Sequence, residues 1–390
     1  MDGRSSFRCF FRKEGKLRTI YFDNAGCSEP IPEAIDAFNA VPQWNPASAH
    51  TRGEAARRTL EMARESIAKS IDAEPSEVYF TSGSTESCTW AKQVMLDSCE
   101  VFYISPAEHP ATKTGFREAS IVKPRVKKER PYMEGCIHSL ANSETGEVFS
   151  FHGPKNRFIE RHFDKTQVFV PNNALLLVDA TAAVGHIPVS FREIGADYMA
   201  FDAQKFGGYA GVGCLIVKKG APLFPLILGG GQENGMRSGT IPLKLISAME
   251  AALSFHTENM RKTMDYVTHL RDALIDGVLS SVEGAQINGP YVPESTKERL
   301  PGNVNISFDG VEATSLAAIL DAKGLIVSTG SACTSGDGPA PSEALLSMGY
   351  SEKRAKSAIR MTLDHRNTME EVKKSIDIIK NTVKDVRSRY

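Results

Sequence analysis

No apolar run in the chain approaches the ~20 residues that a membrane-spanning helix needs. No basic block stands out either. Forty-six Lys and Arg against 47 Asp and Glu leave a formal net charge of −1, which argues against nucleic-acid binding by bulk electrostatics. CxxC pairs are absent. The seven cysteines, Cys9, Cys27, Cys88, Cys99, Cys136, Cys214 and Cys333, are scattered and odd in number. They form neither a disulfide framework nor a zinc site, and they suit a reducing compartment. There is no secretory signal, no internal repeat and no heptad pattern. Arg4, Arg8, Arg12, Lys13, Lys16 and Arg18 hint at a transit peptide, but Asp2 and Glu14 favour a short solvated extension. What is there is ordinary for a soluble globular protein: 390 residues, 41% hydrophobic and 24% charged. That length suits two domains, or one large α/β core with an attached lobe.

Strand-like and helix-like stretches alternate. Short apolar runs at 20–22, 77–80, 101–104, 136–140, 175–178, 198–201 and 213–217 read as strands, with helical patterns at 52–72 and from 85 to about 96. The runs are continuous rather than alternating, so a largely parallel sheet covered by helices on both faces is expected. The segment 123–165 is the least regular and reads as surface loops. A long helical stretch runs from 243 to about 280 and is a candidate hinge. Beyond it come a strand at 304–308, a helix at 313–323, strands at 325–328 and 358–363, and a last helix at 368–387, which suggests an α+β lobe.

Six features carry chemistry. Thr81-Ser82-Gly83-Ser84-Thr85 joins a strand to a helix, and its small residues and free N–H groups suit a phosphate cradle. A plain N-cap closed by Glu86 is the commoner reading of those residues taken alone. Asp179 ends the apolar run Leu175–Val178, where ligands bind in open α/β sheets. Lys205 follows another strand among small residues, where a desolvated amine suits Schiff-base chemistry; a surface lysine is the bland reading. Lysine, acid and cradle together are the kit of a pyridoxal phosphate enzyme. Cys333 sits in a Gly-, Ser- and Thr-rich run, 328–339, which reads as an exposed flexible loop presenting an accessible thiol. Cys88 and Cys214 read as inert and buried. Arg360, among apolar neighbours, needs an anion from the protein or from a substrate. His109 can stack on a flat ring or simply be a satisfied loop histidine.

These residues resemble the NifS/IscS family of cysteine desulfurases, in the class V group of fold-type I pyridoxal phosphate enzymes. The resemblance spans about 20–385. It rests on Tyr21 to Ala25, Asn45 to His50, Phe80 to Ser87, Glu108-His109, Asp179 to Thr181, Gly229 to Thr240, Leu300 to Asn303, Gly330 to Ser335 and Ser357 to Arg360. It implies an α/β fold with a large, mostly parallel-sheet domain, 20–245. A smaller α+β domain, 246–390 with residues 1–19, would carry the cysteine loop. It implies that Lys205 forms the imine to the cofactor, that Asp179 pairs with the ring nitrogen and that His109 stacks on the ring. Ser84, Thr85 and the turn through Gln204 would hold the phosphate, with Thr240 reaching in from the second subunit of a homodimer. Arg360 and Asn24 would bind L-cysteine, and Cys333 would take its sulfur as a persulfide for an acceptor protein. The expected protein is cytoplasmic, with an organelle matrix as the alternative compartment, and binds no metal, membrane or nucleic acid. A selenocysteine lyase, another class V enzyme or a non-catalytic homologue are the alternatives. Four positions depart from the family pattern: Asp202 for Ser, Gln204 for His, Ala182 for Gln and Ser143 for Asn. An ionised Asp202 would repel a phosphate.

Overall fold

In chain order the elements are β1 (Ile20–Tyr21), α1 (Pro32–Ala40), α2 (Thr51–Ser70), β2 (Val78–Thr81), α3 (Ser84–Ser98), β3 (Val101–Ile104), α4 (Pro110–Lys113), β4 (Glu134–Ser139) and β5 (Ser150–His152). Next come β6 (Phe158–Glu160), β7 (Gln167–Phe169), β8 (Ala174–Asp179), α5 (Phe191–Ile194), β9 (Tyr198–Asp202), β10 (Gly213–Val217) and α6 (Leu243–Ser281). The remainder are β11 (Ala285–Ile287), β12 (Asn303–Phe308), α7 (Ala313–Ala322), β13 (Leu325–Ile326), β14 (Ser328–Thr329), α8 (Glu343–Ser347), α9 (Glu352–Lys356), β15 (Ala358–Thr362) and α10 (Met369–Arg387). This computed structural model describes residues 19–99, 101–104, 108–113, 134–152, 157–160, 162, 165, 167–170, 174–329 and 341–388.

The central sheet has the order β2-β10-β9-β8-β4-β3. β10 runs antiparallel to both its neighbours, and every other pairing is parallel. Along β8, Leu175 and Leu177 face α3 residues such as Trp90 and Met95, while Leu176 and Val178 face the opposite layer, which holds α2 and the start of α6. Both faces are covered, so the strand reads as an unbroken apolar run rather than an alternation.

A second sheet, β11-β12-β15-β14, is antiparallel throughout. It packs with α7, α10 and the later half of α6 into a separate core around Leu270, Leu274, Val304, Ile306 and Met361. Ile20 and Phe22 belong to this second core, and β1 pairs with β13. The N-terminal strand therefore sits with the C-terminal residues, not with the unit 20–245 to which the sequence reading gave it. The boundary expected at 245–246 falls in the first turn of α6. That helix is continuous, its early residues Leu243 to Leu253 in the first core and Val267 to Val278 in the second.

The segment read as surface loops holds a three-stranded antiparallel sheet, β5-β6-β7. Its strands are three residues each, too short to leave a periodic signal. Helix α1 was also not foreseen; Pro32 starts it at the position where a missing N–H costs nothing. No described helix is long and apolar enough to cross a membrane.

Candidate active site

Both sheets converge on the N-terminal turn. Backbone pairing holds that turn from two sides: Phe22 N donates to Ile326 O at 2.9 Å, and Thr362 N donates to Phe22 O at 2.7 Å. Asn24 Nδ2 adds a bond to Thr362 O at 2.8 Å. The chain then reverses, with Gly26 N on Asp23 O at 3.0 Å, and aims its carbonyls at the end of β9. There a short 3-10 turn, Ala203–Lys205, presents Lys205. Lys205 Nζ donates to Ala25 O at 2.9 Å and to Gly26 O at 2.7 Å. From the other side, Arg360 on β15 places Nη2 3.0 Å from Asp23 Oδ1 and Nη1 3.7 Å from Glu144 Oε2. The amine and the guanidinium thus meet one four-residue turn. Asn24, expected on substrate, spends its amide on holding that turn to β15.

The second cluster lies where β9 ends and α3 begins. Ser84 Oγ donates to Asp202 Oδ2 at 3.0 Å, and Gln204 Nε2 donates to the same oxygen at 3.3 Å. Asp202 is 5% exposed. Burial pushes its carboxyl above the usual range, against the opposing pull of the Lys205 charge and of the Ser84 and Gln204 bonds. Its other oxygen, Oδ1, is buried with no hydrogen-bond partner among the described residues. Two glycines allow the approach. A Cβ on Gly213 would lie 2.7 Å from Gly83 Cα, so only glycine lets β10 run beside the start of α3. Gly83 itself has φ +156°, at the margin of what side-chain-bearing residues adopt. Thr85 follows on α3 and is exposed.

Asp179 closes β8, opposite Ser139 of β4 and Ala200 of β9, and is buried. Its Oδ1 accepts from Thr181 N at 3.0 Å, and Thr181 Oγ1 is buried without a partner among the described residues. Cys88 is completely buried on α3 within electrostatic reach of Asp179, Lys92, Glu108 and Asp202, and burial raises its thiol well above the ordinary range. Cys214 is likewise buried and raised, as an inert core thiol should be.

His109 is exposed and caps α4, accepting from Ala111 N at 3.1 Å through Nδ1. Its neighbour Glu108 is buried and accepts from both the N–H and the hydroxyl of Ser139. Ser143 accepts from Asn303 Nδ2 through its backbone oxygen at 3.1 Å. Thr240 is exposed on the loop before α6. Cys333 lies outside the described residues.

Two contributors escaped sequence reasoning. Glu144 is buried, binds Asn305 Nδ2 at 2.9 Å and reaches Arg360. An acid two residues after Asn142, just past a buried strand, was the available signal. His186 Nε2 lies 2.8 Å from the Lys205 carbonyl and backs the lysine turn; a lone histidine carries no spacing signal.

Residues 20–374 match the family described as aminotransferase class-V. The chain belongs to the class-V aminotransferase family. This class-V chain is 31% identical over 398 residues to the cysteine desulfurase IscS of Dictyoglomus turgidum, covering 95% of this chain and 96% of that protein. It is 31% identical over 397 residues to the IscS-like cysteine desulfurase of Mycobacterium tuberculosis, covering 94% and 97%. A solved NifS-like protein superposes with a TM-score of 0.77 at 27% identity, over 94% of this chain and 100% of that one. The class-V chain therefore has the fold-type I architecture expected from its sequence: the mostly parallel sheet, with the C-terminal α+β unit beside it.

Proposed function

We propose that this chain is a pyridoxal phosphate-dependent cysteine desulfurase. It converts L-cysteine to L-alanine and passes the sulfur, as a persulfide on Cys333, to an acceptor protein. The observation that carries this reading is the turn 23–26, where the Lys205 amine and the Arg360 guanidinium meet from separate sheets. An amino acid needs both a site for its amine chemistry and a cation for its carboxylate, close together.

The residues present suit the cofactor. A lysine at a strand end, a buried carboxylate on the next strand, and a helix N-terminus with Ser84 form the donor set that its aldehyde, ring nitrogen and phosphate require. The buried oxygens of Thr181, beside Asp179, and of Asp202, beside Ser84, have no partner among the described residues and call for a polar group. Asp202 is the one discordant side chain, and it accords with a phosphate when its carboxyl is neutral.

When bound, pyridoxal phosphate supplies an electron sink for the bonds around the substrate Cα. Lys205 anchors it, and Asp179 keeps the ring nitrogen protonated. His109 covers the ring, with Ser143 beside it. Ser84, Thr85 and Gln204 take the phosphate, helped by Thr240 of a second copy. Arg360 orients the substrate carboxylate, with Asn24 fixing the turn beside it. The Cys333 thiolate would attack the substrate sulfur: the S–S bond forms as Cβ–S breaks, the electron pair of that bond stays on Cβ, and its protonation gives alanine while Cys333 keeps the sulfur as a persulfide.

The finer reading is a cytoplasmic homodimer that feeds iron–sulfur cluster or thio-cofactor assembly. Phe224, Ile227 and Leu228 support the dimer, since they are exposed large apolar residues just before the loop that carries Thr240. The test is visible absorbance of bound pyridoxal phosphate together with alanine and sulfide release from L-cysteine. Lys205→Ala is expected to lose the absorbance and all alanine formation. Cys333→Ala is expected to keep the absorbance and lose desulfuration. A protein that stays colourless with added cofactor, and inactive, would overturn the proposal.

A further inference from the structure

The seat at the start of α3 is lined by a carboxylate that spends the seat's own donors. Asp202 Oδ2 accepts from Ser84 Oγ and Gln204 Nε2, so with Asp202 ionised both hydrogens point at the acid. Oδ1 is buried and unpartnered among the described residues. An ionised carboxylate in that state costs free energy by itself, and a phosphate beside it costs more.

We infer that Asp202 is a proton-loaded arm of this seat: it takes one proton from solvent when a phosphate monoester docks, donates to Ser84 Oγ, and releases the Ser84 hydrogen to the phosphate. The inference rests on the cofactor reading above and deepens it. One proton turns an acceptor that blocks the seat into a donor chain of two hydroxyl-type groups. Gly83 leaves room for it, since a Cβ there would meet only Asp202 Oδ2, at 3.8 Å.

The charged and titratable groups around Asp202 agree. On its own strand and turn stand Lys205 and the neutral Gln204. Helix α3 brings Ser84, the Cys88 thiol held neutral by burial, and Lys92. The next strand, β8, brings Asp179, and the segment before α4 brings Glu108, both within reach of Cys88 together with Asp202. The facing residue on β10 is Gly213, which brings no charge. The Lys205 charge acts against protonation, while burial acts for it.

The experiment titrates the full chain with pyridoxamine 5′-phosphate, which forms no bond to Lys205. Calorimetry is run in buffers of different ionisation heat from about pH 6 to about pH 8.5, on wild type, Asp202→Asn and Asp202→Ser. The ligand's own second phosphate ionisation is common to all three, so the ratio of affinities isolates Asp202. Wild type is expected to take up up to about one proton more than either variant. Its affinity relative to Asp202→Asn should fall by up to about tenfold per pH unit once the free carboxyl ionises. At the acid end, wild type and Asp202→Asn should bind within about threefold of each other. An affinity ratio constant across pH would overturn the inference, because Asp202 would then be ionised throughout and merely repel. Equal affinities at every pH would overturn it too, and both outcomes leave the cofactor reading standing. If none of the three proteins binds pyridoxamine phosphate or pyridoxal phosphate at any pH, the cofactor reading fails and takes the inference with it. The serine variant keeps the test open should the asparagine fold poorly.

Discussion

Arg360 carries its counter-charges before any substrate arrives. Asp23 sits 3.0 Å from one terminal nitrogen, Glu144 lies 3.7 Å from the other, and Nε is buried without a partner among the described residues. A guanidinium presents a planar fork that an ammonium lacks. Arg360→Lys is therefore expected to keep the charge but lose the geometry that binds a carboxylate. The loss of one charge-assisted bond, about 2 kcal/mol, corresponds to roughly thirtyfold in kcat/KM. It should fall mainly on KM in steady-state assays with L-cysteine, and an unchanged KM would take Arg360 off the substrate path. The need for an anion was legible in the sequence, because an arginine among Ala358, Ile359 and Met361 cannot stay unpaired. The partners were not legible: Asp23 is 337 positions away along the chain. Glu144 comes from a third segment. Such pairs are made by the topology, not by local pattern.

Between the sheets, three histidines from separate elements share one pocket. His186 follows β8, His256 is on α6 and His365 follows β15. Their rings lie 6.2 Å apart for His186 and His256, and 5.4 Å apart for His256 and His365. Burial, reinforced by the two neighbouring imidazoles, pushes His256 down to about 3. Burial lowers His186 and His365 as well. His256 therefore stays neutral in the fold at pH values where an unfolded chain protonates it, and His186 and His365 are shifted in the same direction. The unfolded state thus binds more protons below about pH 6.5, and stability must fall there as pH falls. His256 contributes up to about 1.4 kcal/mol per pH unit, His186 and His365 add to the slope with the same sign, and stability above about pH 7 carries no slope from this cluster. Urea midpoints from pH 5 to pH 8 would show the slope, and His256→Leu should flatten it; an unaltered slope would remove His256 from the account. At this scale the sequence was informative where elements were long. β8, β9 and β10 announce themselves as apolar runs because both faces are covered. The β5-β6-β7 sheet did not, since three-residue strands rely on tertiary contacts. The histidines gave no warning, since each stands alone in its segment.

At the scale of the molecule, three of the nine exposed large apolar side chains among the described residues lie just ahead of the Thr240 loop. Leu228 is 82% exposed, with Phe224 and Ile227 beside it. If this face joins two copies, Leu228→Asp should shift the protein towards monomer in sedimentation velocity. It should also weaken pyridoxal phosphate binding, because Thr240 would no longer reach the neighbouring site. A dimer untouched by the substitution would place the interface elsewhere. Ile20 and Phe22 tie the start of the described chain to the second core, and α6 runs 39 residues through both. The expected boundary at 245–246 falls inside α6, and a helix crossing two cores shows no linker composition.

The same helix has a consequence for how the protein comes apart. The connection through α6 offers a protease no slack tether, and a gene cut at codon 245 would sever a rod two residues after it begins while orphaning the strand at 20–21. Heating should give a single cooperative transition in calorimetry, with neither half surviving the other. The smallest piece of this protein able to stand alone is then nearly all of it.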